Sequence, residues 1–342
     1  MHGKTSHTGK KGRCPRDLTC YGKSKLHPVS SSRTDIIFVV ILLAILLPAF
    51  VSSCISPEKD DGDRRVRVLV TRSGDSPLKM LDLFFFDDDS LGRLDSYQRF
   101  VSPEENLFEG ISRSGPKRIV ATANYGEDRY SWYDIQTLWT LSGRISDLRY
   151  EDPLHPVMSA EAVLREGAAL RLFLTPLLSE IRLRSLACDF SGRPYEGEKL
   201  EDVRIYPVNV HDRCRLISGE PEPSWVNFGA CGETIPPVPL LDPVGKEGVF
   251  PGCSFLCYAN DIAQESPLTP FTRLVVEGSV MGTTYYYPVN IPSLKSGERH
   301  IFDLVLTRLG TSGPDCPASP EMYRLASAVE PWEAAGSEIQ PF

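Results

Sequence analysis

The chain has 342 residues, of which 41% are hydrophobic and 24% charged, and its formal net charge is −8. That balance excludes a disordered chain, a coiled coil and a protein crossing a membrane many times, and the length suggests about two domains. Its 26 Gly and 28 Pro favour short strands and turns over long helices. The charge is unevenly spread. Residues 1–35 hold eight Lys/Arg against two Asp, which leaves −14 on the rest. So acidic a body argues against nucleic acid as a partner, because binding phosphates needs clustered cations.

Residues 36–51, IIFVVILLAILLPAFV, form an uncharged run of sixteen. The run is shorter than the ~20 residues of a spanning helix, and a basic region precedes it. A basic region, an apolar core and then small residues make a signal peptide. Val51-Ser52-Ser53-Cys54 resembles a bacterial lipobox, where a peptidase cuts before the cysteine and the cysteine is acylated. Residues 1–53 therefore read as a lipoprotein signal peptide, Cys54 as the lipidation site, and 54–65 as a solvated tether. Several acyl chains hold a protein firmly on a bilayer, where one does not.

The body then reads as strand after strand. Residues 66–70, VRVLV, alternate with Val66, Val68 and Val70 on one face. A break follows at 72–77, then LKMLDLFFFDDD with Leu81, Leu83 and Phe85 on one face. Asp87-Asp88-Asp89-Ser90-Leu91-Gly92 has turn chemistry rather than the alternating ligand spacing of a calcium loop. Residues 117–126 are another strand. Between 131 and 148, apolar residues at Trp132, Ile135, Leu138, Trp139, Leu141, Ile145 and Leu148 fall at helical spacing, with Ser131 as cap. Residues 169–177 and 180–190 read as a strand pair, and 200–210 continues the pattern. Residues 217–255 are loop-rich, with seven prolines. Residues 272–291 form a hairpin turning at Met281-Gly282, where Gly admits positive φ. A strand at 300–310 and a tail with weak strand signals follow. The expected fold is all-β with one helix: two tandem antiparallel β-sandwich domains, 66–187 and 188–342, dividing near 187–192.

Catalytic signatures are missing. There is no GxSxG, P-loop, GxGxxG unit or HExxH, and the exported body has only His155, His211 and His300. The reading is therefore non-enzymatic, with no cofactor and no metal. Six cysteines follow Cys54: Cys188, Cys214, Cys231, Cys253, Cys257 and Cys316. Disulfides and buried free thiols both fit them. Cys253-x3-Cys257 lacks the second ligand pair that zinc needs.

Four stretches carry a resemblance: the lipobox and acidic tether at Cys54, VRVLVTR-SGDSP-LKMLDLFFFD, RLVVEGSVMGTTYYYPVNI, and IFDLVLTRLGTSGPD with VEPW at 329–332. On these the chain resembles the fimbrillin family of lipoprotein pilins, the type V pilus subunits of Bacteroidales. The resemblance implies two transthyretin-like sandwiches, export to the outer membrane as a lipoprotein, and cell adhesion through a fimbrium. It implies a trypsin-like protease that cuts behind the first strand. Arg72 is the matching position, and Arg64, Arg65 and Arg67 would leave the strand in place. Losing Val66, Val68 and Val70 would open a groove, and the tail 325–342 of the next subunit would fill it. Partners are then other pilus subunits, membrane lipid through Cys54, the protease and an unidentified receptor. Two alternatives stay open: an anchor or accessory lipoprotein of the same family, or a surface glycan-binding lipoprotein, for which Tyr285-Tyr286-Tyr287 is the only candidate run.

Overall fold

The computed structural model describes residues 62–72, 78–126, 132–229 and 234–331. Cys54, the run 36–51, Cys231 and residues 332–342 lie outside the described residues. Among the described residues no helix is long and apolar enough to cross a membrane.

The N-terminal part is built from β1 (Arg64–Arg72), β2 (Met80–Asp87), β3 (Leu94–Val101), β4 (Leu107–Ser112), β5 (Lys117–Ala123), β7 (Met158–Leu164) and β8 (Ala169–Pro176). They form one seven-stranded sheet in the order β3-β2-β5-β7-β8-β1-β4. The sheet encloses its own core. Val66, Val68 and Val70 of β1 meet Leu81, Leu83 and Phe85 of β2, Ile119 of β5, and Leu172 and Leu174 of β8. The Asp87–Gly92 turn joins β2 to β3 as its chemistry suggests: Asp89 accepts from the Leu91 and Gly92 amides at 2.9 and 2.8 Å. Those two bonds hold the Asp89 carboxyl below its ordinary range.

β2 is buried on both faces. Phe84 and Phe86 point away from the first core into a second one, with Tyr125, Trp132 and Ile135. The helix expected over 131–148 is only α1 (Leu138–Ser142), capped by Thr137 rather than Ser131. Gly143 closes it, and Ile145–Asp147 becomes strand β6 instead. β6 pairs with β11 (Arg213–Arg215), a partner that local periodicity cannot reveal. Trp132, Ile135, Leu141 and Leu148 are buried as a packing stripe would be, but Trp139 is not.

The C-terminal part has two four-stranded sheets. One runs β12 (Val238–Pro239), β10 (Glu201–Val208), β14 (Thr272–Val280), β15 (Thr283–Ile291). The other runs β13 (Cys253–Tyr258), β9 (Leu178–Cys188), β16 (Glu298–Leu306), β17 (Tyr323–Pro331). Their facing residues, such as Ile205, Val276 and Val289 against Ile181, Leu183 and Leu304, share the second core. The β14–β15 hairpin turns at Met281 and Gly282, with φ of 52° and 75°.

The molecule is thus nearly all β-strand and forms packed sheets, with two departures from the expected pairing. β8 and β9 do not pair with each other: β9 belongs to the C-terminal sheet, so sheet membership changes at Leu177 rather than at 187/188. The sheets are also not purely antiparallel. β1 runs parallel to β8, and β9 parallel to β16. A parallel partner needs a long crossover, so neither pairing shows in local sequence.

Candidate assembly site

The residues singled out near the N-terminus fall on a strand in the middle of its sheet. On one side, β1 pairs antiparallel with β4 from Arg64↔Ser112 to Leu69↔Leu107. On the other it pairs parallel with β8 from Arg67↔Ala169 to Arg72↔Leu174. Val66, Val68 and Val70 are 0%, 0% and 3% exposed. Their alternation with Arg65, Arg67 and Leu69 sends the small β-branched side chains inward. Burying three such side chains is worth roughly 5–9 kcal/mol, comparable with the whole stability of an ordinary domain. The outward residues are lightly tied: Arg65 and Arg67 meet Glu109 at 3.8 and 3.2 Å, where solvent screens the pairs.

The strand leaves an imprint on its neighbours. Gly110 of β4 pairs with Val66 and lies directly over the Phe85 ring. A Cβ there would stand 2.2 Å from the ring's Cζ, so only glycine fits. Without β1, the backbone edges of β4 and β8 would face each other across a slot floored by Phe85, Ile119 and Leu172.

Arg72 is the last residue of β1, half-buried opposite Leu174. It sits inside the strand and not in the loop, and residues 73–77 lie outside the described residues. Arg64 and Arg65 stand at the opposite end of the same strand.

The last described strand has the reverse character. β17 pairs antiparallel with β16 from Glu298↔Pro331 to Leu306↔Tyr323, and among the described residues nothing lies beyond it in the sheet. Every residue from Arg324 to Pro331 is exposed, including Leu325 at 42% and Val329 at 56%. The weak apolar alternation of this segment is the pattern of a strand with water on both faces. Backbone pairing with β16 makes the strand, not a hydrophobic stripe. The tail 325–342, expected from the resemblance to act as donor, therefore begins as a regular strand, and its last eleven residues lie outside the described part.

The remaining candidates behave as structural groups. Cys188, Cys214, Cys253, Cys257 and Cys316 are free thiols, and the first four are buried. Burial pushes the Cys188, Cys253 and Cys257 thiols up to about 12, which leaves them protonated and unreactive at neutral pH. Cys253 and Cys257 are four residues apart on one strand, about 13 Å, too far to share an ion. His155 contacts Asp152 at 3.1 Å, His211 donates to the Ser224 carbonyl at 3.0 Å, and His300 faces Glu298 at 3.4 Å. Among the described residues none of these contacts includes a hydroxyl or thiol nucleophile. Tyr287 is fully buried while Tyr285 and Tyr286 are half-buried, so that run is part of the sheet.

Sequence reasoning missed one group, Glu151. It is buried where the N-terminal part meets β13. Its carboxylate accepts from Ser146 Oγ at 2.9 Å, Tyr258 OH at 2.7 Å and the Val157 amide at 3.0 Å. Desolvation outweighs these donors and raises its pKa. No local signal marks a Glu for burial when its donors lie up to 107 residues away.

No family model matches the chain, and no curated protein matches it. Solved structures do. A fimbrilin of Porphyromonas gingivalis W83 superposes with a TM-score of 0.60 at 12% identity, covering 81% of this chain and 98% of that one. This chain has the fimbrilin fold. A candidate cell adhesion protein from Parabacteroides distasonis gives 0.59 at 16% identity, covering 79% and 96%. The C-terminally truncated tip fimbrial protein Mfa3 from Porphyromonas gingivalis gives 0.50 at 12%, covering 79% and 100%. The resemblance to fimbrillins read from the sequence is thus matched at the level of fold.

Proposed function

We propose that this protein is a non-enzymatic structural subunit of a cell-surface pilus, assembled by strand exchange. It is exported as a lipoprotein, acylated at Cys54 and held on the outer membrane. A trypsin-like protease then cuts after Arg72 and releases the strand carrying Val66, Val68 and Val70. The slot between β4 and β8 next receives the C-terminal strand of another copy or another subunit. That strand satisfies the open backbone groups and refills the apolar pockets. Because donor and acceptor are different surfaces, the contact repeats head to tail and does not close, which makes a filament. Such a filament supports adhesion through a receptor of unknown chemistry.

One observation carries this reading. The first strand is an interior strand that supplies three core valines, while the last described strand is an edge exposed from Arg324 onward and held mainly by backbone pairing. The similarity to fimbrilins and to a tip fimbrial protein supports it at the level of fold.

The test is N-terminal sequencing and intact mass of the protein taken from its own cell surface. A mature start at Ser73 without lipid is the expected result. A start at acylated Cys54 with β1 retained would instead indicate an anchor or accessory lipoprotein, and strand removal would lose its support.

A further inference from the structure

Trp139 is 85% exposed, and its indole lines a cleft rather than standing on open surface. The exposure follows from α1. Leu141 is buried, and two residues turn a helix by about 200°, so Trp139 must face the other way. It borders a cleft of about 540 Å³ lined also by Ser142, Glu161, Arg215, Ser218 and Glu220. A second cleft, of about 650 Å³, holds Trp225 with Asp261 and Lys295, and it too is lined by Ser218 and Glu220. The turn at Ser218–Glu220, made by Gly219 at φ +67°, thus stands between two clefts with one indole in each.

The polar lining is held in place before any ligand arrives. Arg215 is fixed by Glu222 at 3.0 Å and reaches the Ser142 carbonyl at 3.5 Å. Glu161 is held by Arg118 at 2.5 Å. Trp225 is backed by His211, ring centroids 3.8 Å apart, and a carbonyl from Ser224 fixes that imidazole. Glu220 and Ser218 are exposed at the ridge.

We propose that the paired clefts bind a neutral oligosaccharide, with one sugar unit on each indole and the ridge groups bridging their hydroxyls. A sugar ring offers an apolar C–H face to an aromatic surface, while its rim hydroxyls both donate and accept. Carboxylate, guanidinium and hydroxyl groups match that rim, and the four carboxylates lining the clefts, Glu161, Glu220, Glu222 and Asp261, disfavour an acidic sugar. Both clefts fall within the size of small-molecule sites, whereas a protein contact needs a broad face of about 800 Å² per partner. The site includes no residue of β1 or β17, so it stands or falls independently of strand exchange.

The test titrates the full exported chain with chitotetraose, maltotetraose and cellotetraose, read by calorimetry and by tryptophan fluorescence. Saturable binding of at least one is expected. Trp139→Ala should weaken it by about tenfold and Glu220→Gln by about threefold, both at an unchanged melting temperature. No saturation with any of the three overturns the proposal, as does equal affinity in Trp139→Ala. Self-association that is lost in Trp139→Ala, with no sugar bound, also overturns it and makes the patch a contact between copies.

Discussion

β1 and β17 are each nine residues long and each pairs through most of its length, but they contribute to stability in different ways. β1 lies between two strands and places Val66, Val68 and Val70 in the core. Among the described residues β17 has one neighbour, and beyond Tyr323 it keeps its side chains in water. A backbone hydrogen bond nets only about 1 kcal/mol, because water offers the same bond to the unpaired group. The last strand can therefore leave its sheet at modest cost, whereas the first cannot leave without opening a core. In the proposed assembly a proteolytic cut would suit the first strand for that reason, since the departure of a severed strand need not be reversible. The comparison also separates two ways of making a strand, by hydrophobic alternation and by register with a neighbour.

The strongest way to break this contrast is to charge the buried face of β1. Val68→Asp places an unpaired carboxylate in a fully buried site opposite Phe108. It should cost more than about 4 kcal/mol and unfold the N-terminal sheet at room temperature. Urea unfolding of the uncut protein checks this. A midpoint close to wild type would mean that β1 is not a core strand.

Filling the glycine notch should do less. Gly110→Val drives its side chain into the Phe85 ring and should destabilise by roughly 1–3 kcal/mol. The same change should be tolerated better in a version lacking residues up to Arg72, since the slot is then free to widen. Equal losses in both versions would place the strain outside the β1 slot.

Glu151 tests the junction between the two parts, where neither strand takes part. Its native pKa lies above the ordinary 4.5, so the folded protein keeps this proton at a pH where the unfolded chain has lost it. Its contribution to stability must fall as pH rises from about 4.5 through the raised value. Glu151→Gln removes that slope while keeping an acceptor for Tyr258 or Ser146. Urea midpoints from pH 4.5 to 8 should fall more steeply for wild type than for the variant. Parallel curves would show that Glu151 is not buried as a carboxylate.

What the sequence made legible follows the same division. Val66, Val68, Val70, Leu81, Leu83 and Phe85 announced themselves by period-2 alternation, because one face of each strand meets a core. The Met281-Gly282 turn was legible through Gly282, whose φ of 75° glycine adopts freely, while Met281 takes its φ of 52° without any such signal. The parallel pairs β1–β8 and β9–β16 were not, since strands joined by long crossovers leave no local trace. The stretch 131–148 misled because residues at Trp132, Leu141 and Leu148 reach the core from a loop, a short helix and a turn that together mimic helical spacing. The regularity of β17 was hidden for lack of a buried face. At the candidate assembly site, the first strand was readable and the slot around it, Gly110 over Phe85, was not.

The smallest expected effect on the folded monomer is on β17, and it is also the sharpest test of the contrast. Val329→Asp changes a side chain that is 56% exposed on an edge strand, paired with His300. Monomer stability should move by less than about 0.5 kcal/mol. In the pilus reading the same side chain must enter an apolar slot shaped for valine, where a carboxylate is as costly as at Val68. Polymer formation after proteolysis, followed by ladder formation on unboiled gels, should then fail although the monomer is intact. A variant that polymerises normally would show that residue 329 does not enter the slot, and donation would have to come from residues beyond it. If instead the monomer itself unfolds, β17 stabilises its own sheet through its side chains, and the contrast with β1 is gone.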